Sequence, residues 1–245
     1  MPALTVAVLG LGEAGSRLAA DLSAAGAEVR GYDPVHGGAA EEAVAGSDLV
    51  LSVNSARTAV EVASSARSTL APQAVYADLN TTAPALKRKV ADVVGGERFA
   101  DVALLGPVPV RGLGTPALAS GEGARAFAEA LEPLGMPIDV VSARAGDAAT
   151  LKLLRSVFMK GLAASAIESV RAAEAVGHSE WLKQEIAAVI GRPLLDRLLV
   201  GSRAHAVRRM DEMEAARDLL LELGIEPRIA EASAALLGDI AKEGR

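Results

Sequence analysis

The run Val6–Gly15, "VAVLGLGEAG", constrains this chain more than any other stretch. An apolar run stops at Gly10, Gly12 and Gly15, spaced as G-x-G-x-x-G, and a helical run, "SRLAADLSAAG", follows at once. A buried strand that enters a tight turn and then a helix is the first half of a βαβ unit. Each glycine has a physical role. Gly10 permits the turn, Gly12 lets a pyrophosphate approach the backbone, and Gly15 lets helix and strand pack closely. The backbone of Leu11, Glu13 and Ala14 lies at the helix N-terminus, where free N–H groups and a partial positive charge suit phosphates. "EVRGYD" supplies a second strand ending in Asp33, eighteen positions after Gly15. A carboxylate there accepts hydrogen bonds from both hydroxyls of an adenine ribose and repels a 2′-phosphate. The motif therefore favours NAD, while nearby Arg30 and His36 leave NADP possible.

The rest of the first half repeats this alternation. "LVLSVN", "AVYADLN", "FADVALLG", "ALASG" and "IDVV" read as strands. Helical runs such as "ARTAVEVASSARSTL", "APALKRKVADVVGG" and "GARAFAEALEPLG" separate them. Such alternation predicts a doubly wound, mostly parallel sheet of Rossmann type. After about Ser142 the strands end. "AATLKLLRSVFMKGLAASAIESVRAAEAVG" reads as one long helix closed by Gly177, with Ser179 as N-cap of the next. "PLLDRLL", "RAHAVRRMDEMEAARDLLLELG" and "EPRIAEASAALLGDIAKEG" follow as helices. The expected fold class is α/β, with a dinucleotide-binding domain over residues 1–144 and an all-helical domain over 145–245.

Composition removes several functions. Aromatic residues are 2% of the 245 and the net charge is −6, which argues against a nucleic-acid partner. There is no cysteine, and the three histidines are far apart, so no metal site is expected. No apolar run approaches the ~20 residues needed to span a bilayer. The start lacks a basic n-region and long apolar core. No membrane association is expected, and the cytoplasm is the expected location.

With these residues in view, the chain resembles the β-hydroxyacid dehydrogenase superfamily, which includes phosphogluconate and hydroxyisobutyrate dehydrogenases. The opening through Asp33 carries the resemblance. So do "DLVLSVNSA", residues 48–56, and "DLNTTAP", residues 78–84, similar to the family's D-x-S-T-x-x-P segment with Asn80 in the serine position. "AGDAATLKLLRS" is similar to the helix start that carries the family's catalytic lysine, which puts Lys152 in that role. "DVALLGPVPVRGLGTPALASG" and "LKLLRSVFMKG" look like a subgroup of phosphogluconate-dehydrogenase-like NAD-binding proteins with a short C-terminal domain of unassigned function. The resemblance implies that Val53, Asn54, Asn80 and Thr81 border the cofactor and that the helical domain forms a homodimer. Three departures stand out. Gly106-Pro107-Val108-Pro109 replaces a Ser-Gly-Gly turn that holds the substrate carboxylate, Ser156 replaces an asparagine, and Asp211-Glu212 falls near a Lys-Asp pair.

The lysine helix has its own pattern. At 100° per residue Lys152, Arg155, Ser156, Met159, Lys160 and Ala163 share one face. Leu151, Leu153, Leu154, Val157, Phe158 and Leu162 fill the other. No acid occurs between Asp147 and Glu168 to form i,i+4 pairs, so the cations are expected to face a small anionic substrate. Lys152 would act as general base for the hydroxyl proton, its pKa lowered by burial and by Arg155 and Lys160. Ser156 would hydrogen-bond the reacting oxygen, and Asn80 would assist. Gly106, Pro107 and Arg111, the last a lone charge in a Gly- and Pro-rich loop, are candidate substrate contacts. His205, with Arg208 and Arg209 one turn later, reads as a helix-surface histidine, His178 as a turn residue, and Asp211, Glu212 and Glu214 as a solvated face. The expected activity is an NAD(P)-dependent oxidoreductase acting on a small hydroxy or keto carboxylate between the two domains. The alternatives are an imine or other carbonyl reductase of the same fold, and a dinucleotide-binding sensor without turnover.

Overall fold

The computed structural model describes residues 3–35, 37 and 39–243; His36, invoked above for cofactor choice, lies outside them. The chain divides into two compact units, Met1–Lys152 and Leu153–Arg245. The division falls later than the expected residue 144, inside a helix.

The first unit is a seven-stranded sheet in the order β2-β1-β3-β4-β5-β6-β7. Its strands are β1 (Thr5–Leu9), β2 (Glu28–Tyr32), β3 (Leu49–Ser52), β4 (Val75–Asp78), β5 (Phe99–Leu104), β6 (Ala117–Ser120) and β7 (Ile138–Ser142). All neighbours are parallel except β5 and β6. Side chains along a strand alternate between faces, and here both faces are buried. Val6 and Val8 of β1, Leu49 and Leu51 of β3, and Val75 and Ala77 of β4 enter one core. Ala7, Leu9, Val50 and Tyr76 enter the other. Strands covered on both sides must read as continuous apolar runs, as these do. Helices α1 (Glu13–Ala24), α2 (Ala40–Val44), α3 (Ala59–Arg67), α4 (Pro84–Val94), α5 (Val108–Arg111) and α6 (Ala124–Leu131) connect the strands. The chain leaves β1 for β2 on one side and returns to β3 on the other. The carboxyl ends of β1 and β3 therefore flank a crevice of the kind where ligands bind in open α/β sheets.

Helix α7 (Asp147–Ala175) begins in the first unit and continues into the second. The second unit adds α8 (Ser179–Ile190), α9 (Arg192–Ala204), α10 (Ala206–Glu222) and α11 (Arg228–Glu243), with no strand among its described residues. Leu153, Met213, Ala216, Leu219, Ala230 and Leu237 form its main core. Gly161 lets α7 and α11 approach: a Cβ there would lie 2.7 Å from Ile229 Cγ2.

Several expectations need correction. The run from Arg203 to Gly224 is not one helix. It breaks at His205, so that histidine sits between α9 and α10 rather than on a helix surface. Ser179 begins α8 instead of capping it; His178 holds the cap position without a side-chain cap hydrogen bond. The leucine face of α7 is not uniformly buried: Leu153 is in the core, whereas Leu151 and Leu154 are exposed and Phe158 is 69% exposed. The Gly- and Pro-rich segment after β5, read as a loop, contains α5 and docks on α1. Asp21 accepts the Leu113 N–H at 2.9 Å, and Arg17 donates to Pro109 O at 3.1 Å. The Leu113 N–H, with Arg17 beside it, holds the Asp21 carboxyl below the usual carboxylate range.

A folded-state pKa below the unfolded one gives stability that is present above the unfolded value, about 4, and lost as pH falls through the folded value. Thermal melts of wild type and Asp21→Asn from pH 7 to about pH 3 should therefore show a smaller acid-side fall in Tm for the variant. Equal falls would mean that the Asp21 contact adds no pH-dependent stability.

Candidate active site

The glycine turn is built as its spacing requires. Gly10 has φ +105°, and a Cβ there would lie 2.4 Å from Val53 O. A Cβ on Gly15 would lie 1.8 Å from Gly10 O. Both glycines are fixed by the protein's own packing. Gly12 is different. Its backbone is extended (φ −66°, ψ −168°), and a Cβ would meet nothing within 4 Å. Neither conformation nor internal packing demands glycine there, and a bare backbone faces open space. The first turn of α1 has no side-chain cap, so its leading N–H groups remain available to an anion. Asp33 stands beside this turn, accepting the Leu11 N–H at 2.7 Å and the Val35 N–H at 3.0 Å. An open cradle, uncapped donors and an adjacent carboxylate fit a dinucleotide.

The next two strand ends carry the other expected residues, joined by one that sequence reasoning missed. The buried Ser52 hydroxyl accepts from Asn54 Nδ2 at 2.9 Å and from Asn80 Nδ2 at 3.1 Å. It thereby ties the segment after β3 to the segment after β4. Its signal was present: a lone hydroxyl at the end of the apolar run "LVLS". Thr81 follows Asn80, and its Oγ1 accepts a hydrogen bond from Lys152 Nζ at 2.7 Å. Within the first unit the structure thus sets Lys152 on Thr81 and joins Asn54 to Asn80 through Ser52, two hydrogen-bonded groups that meet at the consecutive residues Asn80 and Thr81.

A second missed group lies beneath it. Lys87 is 1% exposed and sits between Asp78 and Asp101, both fully buried, at 3.4 and 3.3 Å. Its ammonium also donates to Asp78 O at 2.7 Å. The sequence signal was a lysine on the apolar stripe of α4, in line with Val90, Ala91 and Val94.

The second unit corrects the reading of the cations. Lys160 is not uncompensated: it pairs with Glu212 at 2.9 Å, the two side chains being 15% and 9% exposed. Burial lowers the Lys160 pKa and outweighs the Glu212 carboxylate beside it. Ser156, expected to meet a reacting oxygen, is buried and donates to Glu212 instead. Glu212 is therefore not part of a solvated face. Arg155 is exposed. Arg209, which donates to Ser202 Oγ at 2.6 Å, has its pKa lowered by burial. In the first unit Gly106 is half-buried and Pro107 and Arg111 are exposed. The Arg111 side chain folds back toward Gly106, where an added Cβ would lie 3.5 Å from its Cδ. Among the described residues no group of three or more His, Cys, Asp or Glu is placed to hold a metal. No helix among them is long and apolar enough to cross a membrane.

Comparison with known proteins agrees with this architecture. Residues 173–240 match the model of a domain of unknown function (DUF1932). Over 190 residues the chain is 29% identical to the uncharacterized 28.5 kDa protein in the 7S RNA 5′ region of Methanothermus fervidus, covering 76% of this chain and 73% of that one. A conserved protein of unknown function, itself reported as structurally similar to 3-hydroxyacid dehydrogenases, superposes with a TM-score of 0.74 and 27% identity, covering 99% of this chain and all of that one. The 3-hydroxyisobutyrate dehydrogenase of Mycobacterium tuberculosis, solved with L-serine, gives a TM-score of 0.82 at 20% identity, covering 99% and 95%. The fold is thus similar to that of 3-hydroxyacid-dehydrogenase-like proteins, with a Rossmann N-terminus and a helical C-terminal region. The DUF1932 match falls within the helical region and covers its residues 173–240.

The two kinds of glycine should separate in a melt. Gly12→Ala should leave Tm within about 2 °C of wild type, since surface changes away from special features usually cost under about 0.5 kcal/mol. Gly15→Ala must displace the Gly10 carbonyl and should lower Tm by many degrees or prevent folding. Equal Tm losses in the two variants would refute this assignment of roles.

Proposed function

We propose that this protein is a nicotinamide-dependent oxidoreductase acting on a small hydroxy or keto carboxylate, with Lys152 as general acid and base. The observation that carries the reading is the Lys152 ammonium on Thr81 Oγ1, 2.7 Å away, at the strand ends of a sheet whose first turn is an open dinucleotide cradle. The turn of Gly10, Leu11, Gly12, Glu13, Ala14 and Gly15 would hold the pyrophosphate. Asp33 would take the adenine ribose, which favours NAD over NADP. Val53, Asn54, Asn80 and Thr81 would line the nicotinamide half.

A nicotinamide held by these residues would supply the hydride chemistry that interconverts the carbinol and the carbonyl. The chain's own part is the proton. As the C–H bond breaks, the hydroxyl proton passes to a neutral Lys152 amine, leaving a carbonyl and an ammonium; in the reverse direction that ammonium protonates the forming alkoxide. Thr81 fixes the amine by accepting its hydrogen bond. Arg111 in the first unit and Arg155 in the second are each exposed and able to attract an anion, whereas Glu212 already neutralises Lys160. Exposed Leu154, Phe158 and Trp181 of the helical unit support a second copy of the chain as partner.

A binder without turnover is the second reading. The engagement of Ser156 and Lys160 by Glu212, and Gly106-Pro107 in place of a carboxylate-holding turn, favour it. A panel of hydroxyacids with NAD and NADP, followed at the reduced-cofactor absorbance, separates the two. Under the enzyme reading one substrate is oxidised, and Lys152→Ala lowers kcat by about 10²- to 10⁴-fold while dinucleotide affinity is kept. Gly12→Val should lose that affinity. Full turnover by Lys152→Ala would sink the lysine mechanism, and dinucleotide binding with no turnover of any substrate would favour the second reading.

A further inference from the structure

We infer that the buried Lys87–Asp78–Asp101 triad, together with Ser120, is a positioning device that sets the Lys152–Thr81 hydrogen bond; this rests on the reading of Lys152 as the reacting group. Two arms lead from Lys87 to that bond. One runs through Asp78, whose Oδ1 accepts the Asn80 N–H at 2.8 Å and so orients the segment bearing Thr81. The other runs through Asp101, whose Oδ2 accepts the Ala149 N–H at 3.0 Å and the Ser120 hydroxyl at 3.2 Å. Ser120 Oγ in turn accepts the Ala148 N–H at 2.9 Å. Asp101 and Ser120 thus cap the first turn of α7 from within the sheet. Asp147 adds a third hold, accepting from Ser142 Oγ at 2.7 Å and Arg144 Nε at 2.9 Å. Lys152 lies three residues after Ala149, so the cap fixes where its side chain leaves the helix.

The arrangement is a poor choice for stability alone. Three charged groups are removed from water, and such clusters are often no better than an apolar core of the same volume. Asp78 Oδ2 and Asn80 Oδ1 have no hydrogen-bond partner among the described residues, and Asp101 Oδ1 meets only the Lys87 ammonium, at 3.3 Å. What the triad provides is geometry. One ammonium fixes two carboxylates, and each carboxylate fixes one side of the Lys152–Thr81 contact. Placement errors near 1 Å cost reaction rates about 10²-fold, so the arms matter if Lys152 reacts.

The test uses the full chain with ¹⁵N-labelled lysine. Six lysines are present, and Lys152→Arg assigns the ζ resonance. Ser120→Ala and Asp101→Asn each weaken the cap by a small change; Lys87→Met removes the ammonium. In folded Ser120→Ala and Asp101→Asn, exchange at the Ala148 and Ala149 amides should rise at least tenfold and the Lys152 ζ signal should shift. With an active wild type, kcat should fall about tenfold or more while KM for the dinucleotide stays constant. Unchanged ζ signals and kcat in both variants would overturn the inference and leave the triad a structural element only. If Lys87→Met does not fold, the other two variants decide. If wild type turns over no substrate, the oxidoreductase reading fails by itself, and the ζ signals still judge the positioning role.

Discussion

One buried ammonium organises the first unit. Lys87 reaches Asp78 at the end of β4 and Asp101 in β5, so the carboxylates of two adjacent strands share one counter-charge. Remove that charge and two carboxylates remain in a dry interior, a loss of about 3–5 kcal/mol for a broken buried pair. The strand ends, the turn at Asn80 and Thr81, and the first turn of α7 all bond to members of this group. The rest of the sheet could be held by its two apolar cores alone, but its polar strand ends could not.

Much of the fold was legible because its signals are local. The strand runs, the glycine turn and the switch from strands to helices after Ser142 are properties of short windows, and the structure follows them. Of the site, Lys152, Asn80, Asn54 and Asp33 were named from motifs, and the structure places them on the turns and helix that the motifs implied. The failures share one cause, side chains that meet across long sequence separations. Glu212 looked solvated because its partners, Ser156 and Lys160, are more than fifty positions away. The α1 contacts of the loop at 106–115 span 92 positions. Lys87 was overlooked because a lysine in a helix is ordinarily a surface residue, although its place on an apolar stripe marked it as an exception.

The Lys160–Glu212 pair changes the electrostatics of α7. A strip of three unpaired cations would have given a strong, salt-sensitive attraction for any anion. With Lys160 neutralised by Glu212, that attraction is weaker. A weaker long-range field leaves more of any recognition to shape and directed hydrogen bonds.

Gly12 differs from its two neighbours in a way that bears on descent. Gly10 and Gly15 are held by the chain's own backbone crowding, so any lineage that keeps the fold must keep them, whatever it binds. Gly12 is under no such internal obligation. In a descendant that abandoned nucleotides it would be among the first positions free to drift, with no folding defect to betray the change. Among relatives of this architecture, the middle glycine is therefore the position to inspect when sorting those that still handle a dinucleotide from those that merely inherited the shape.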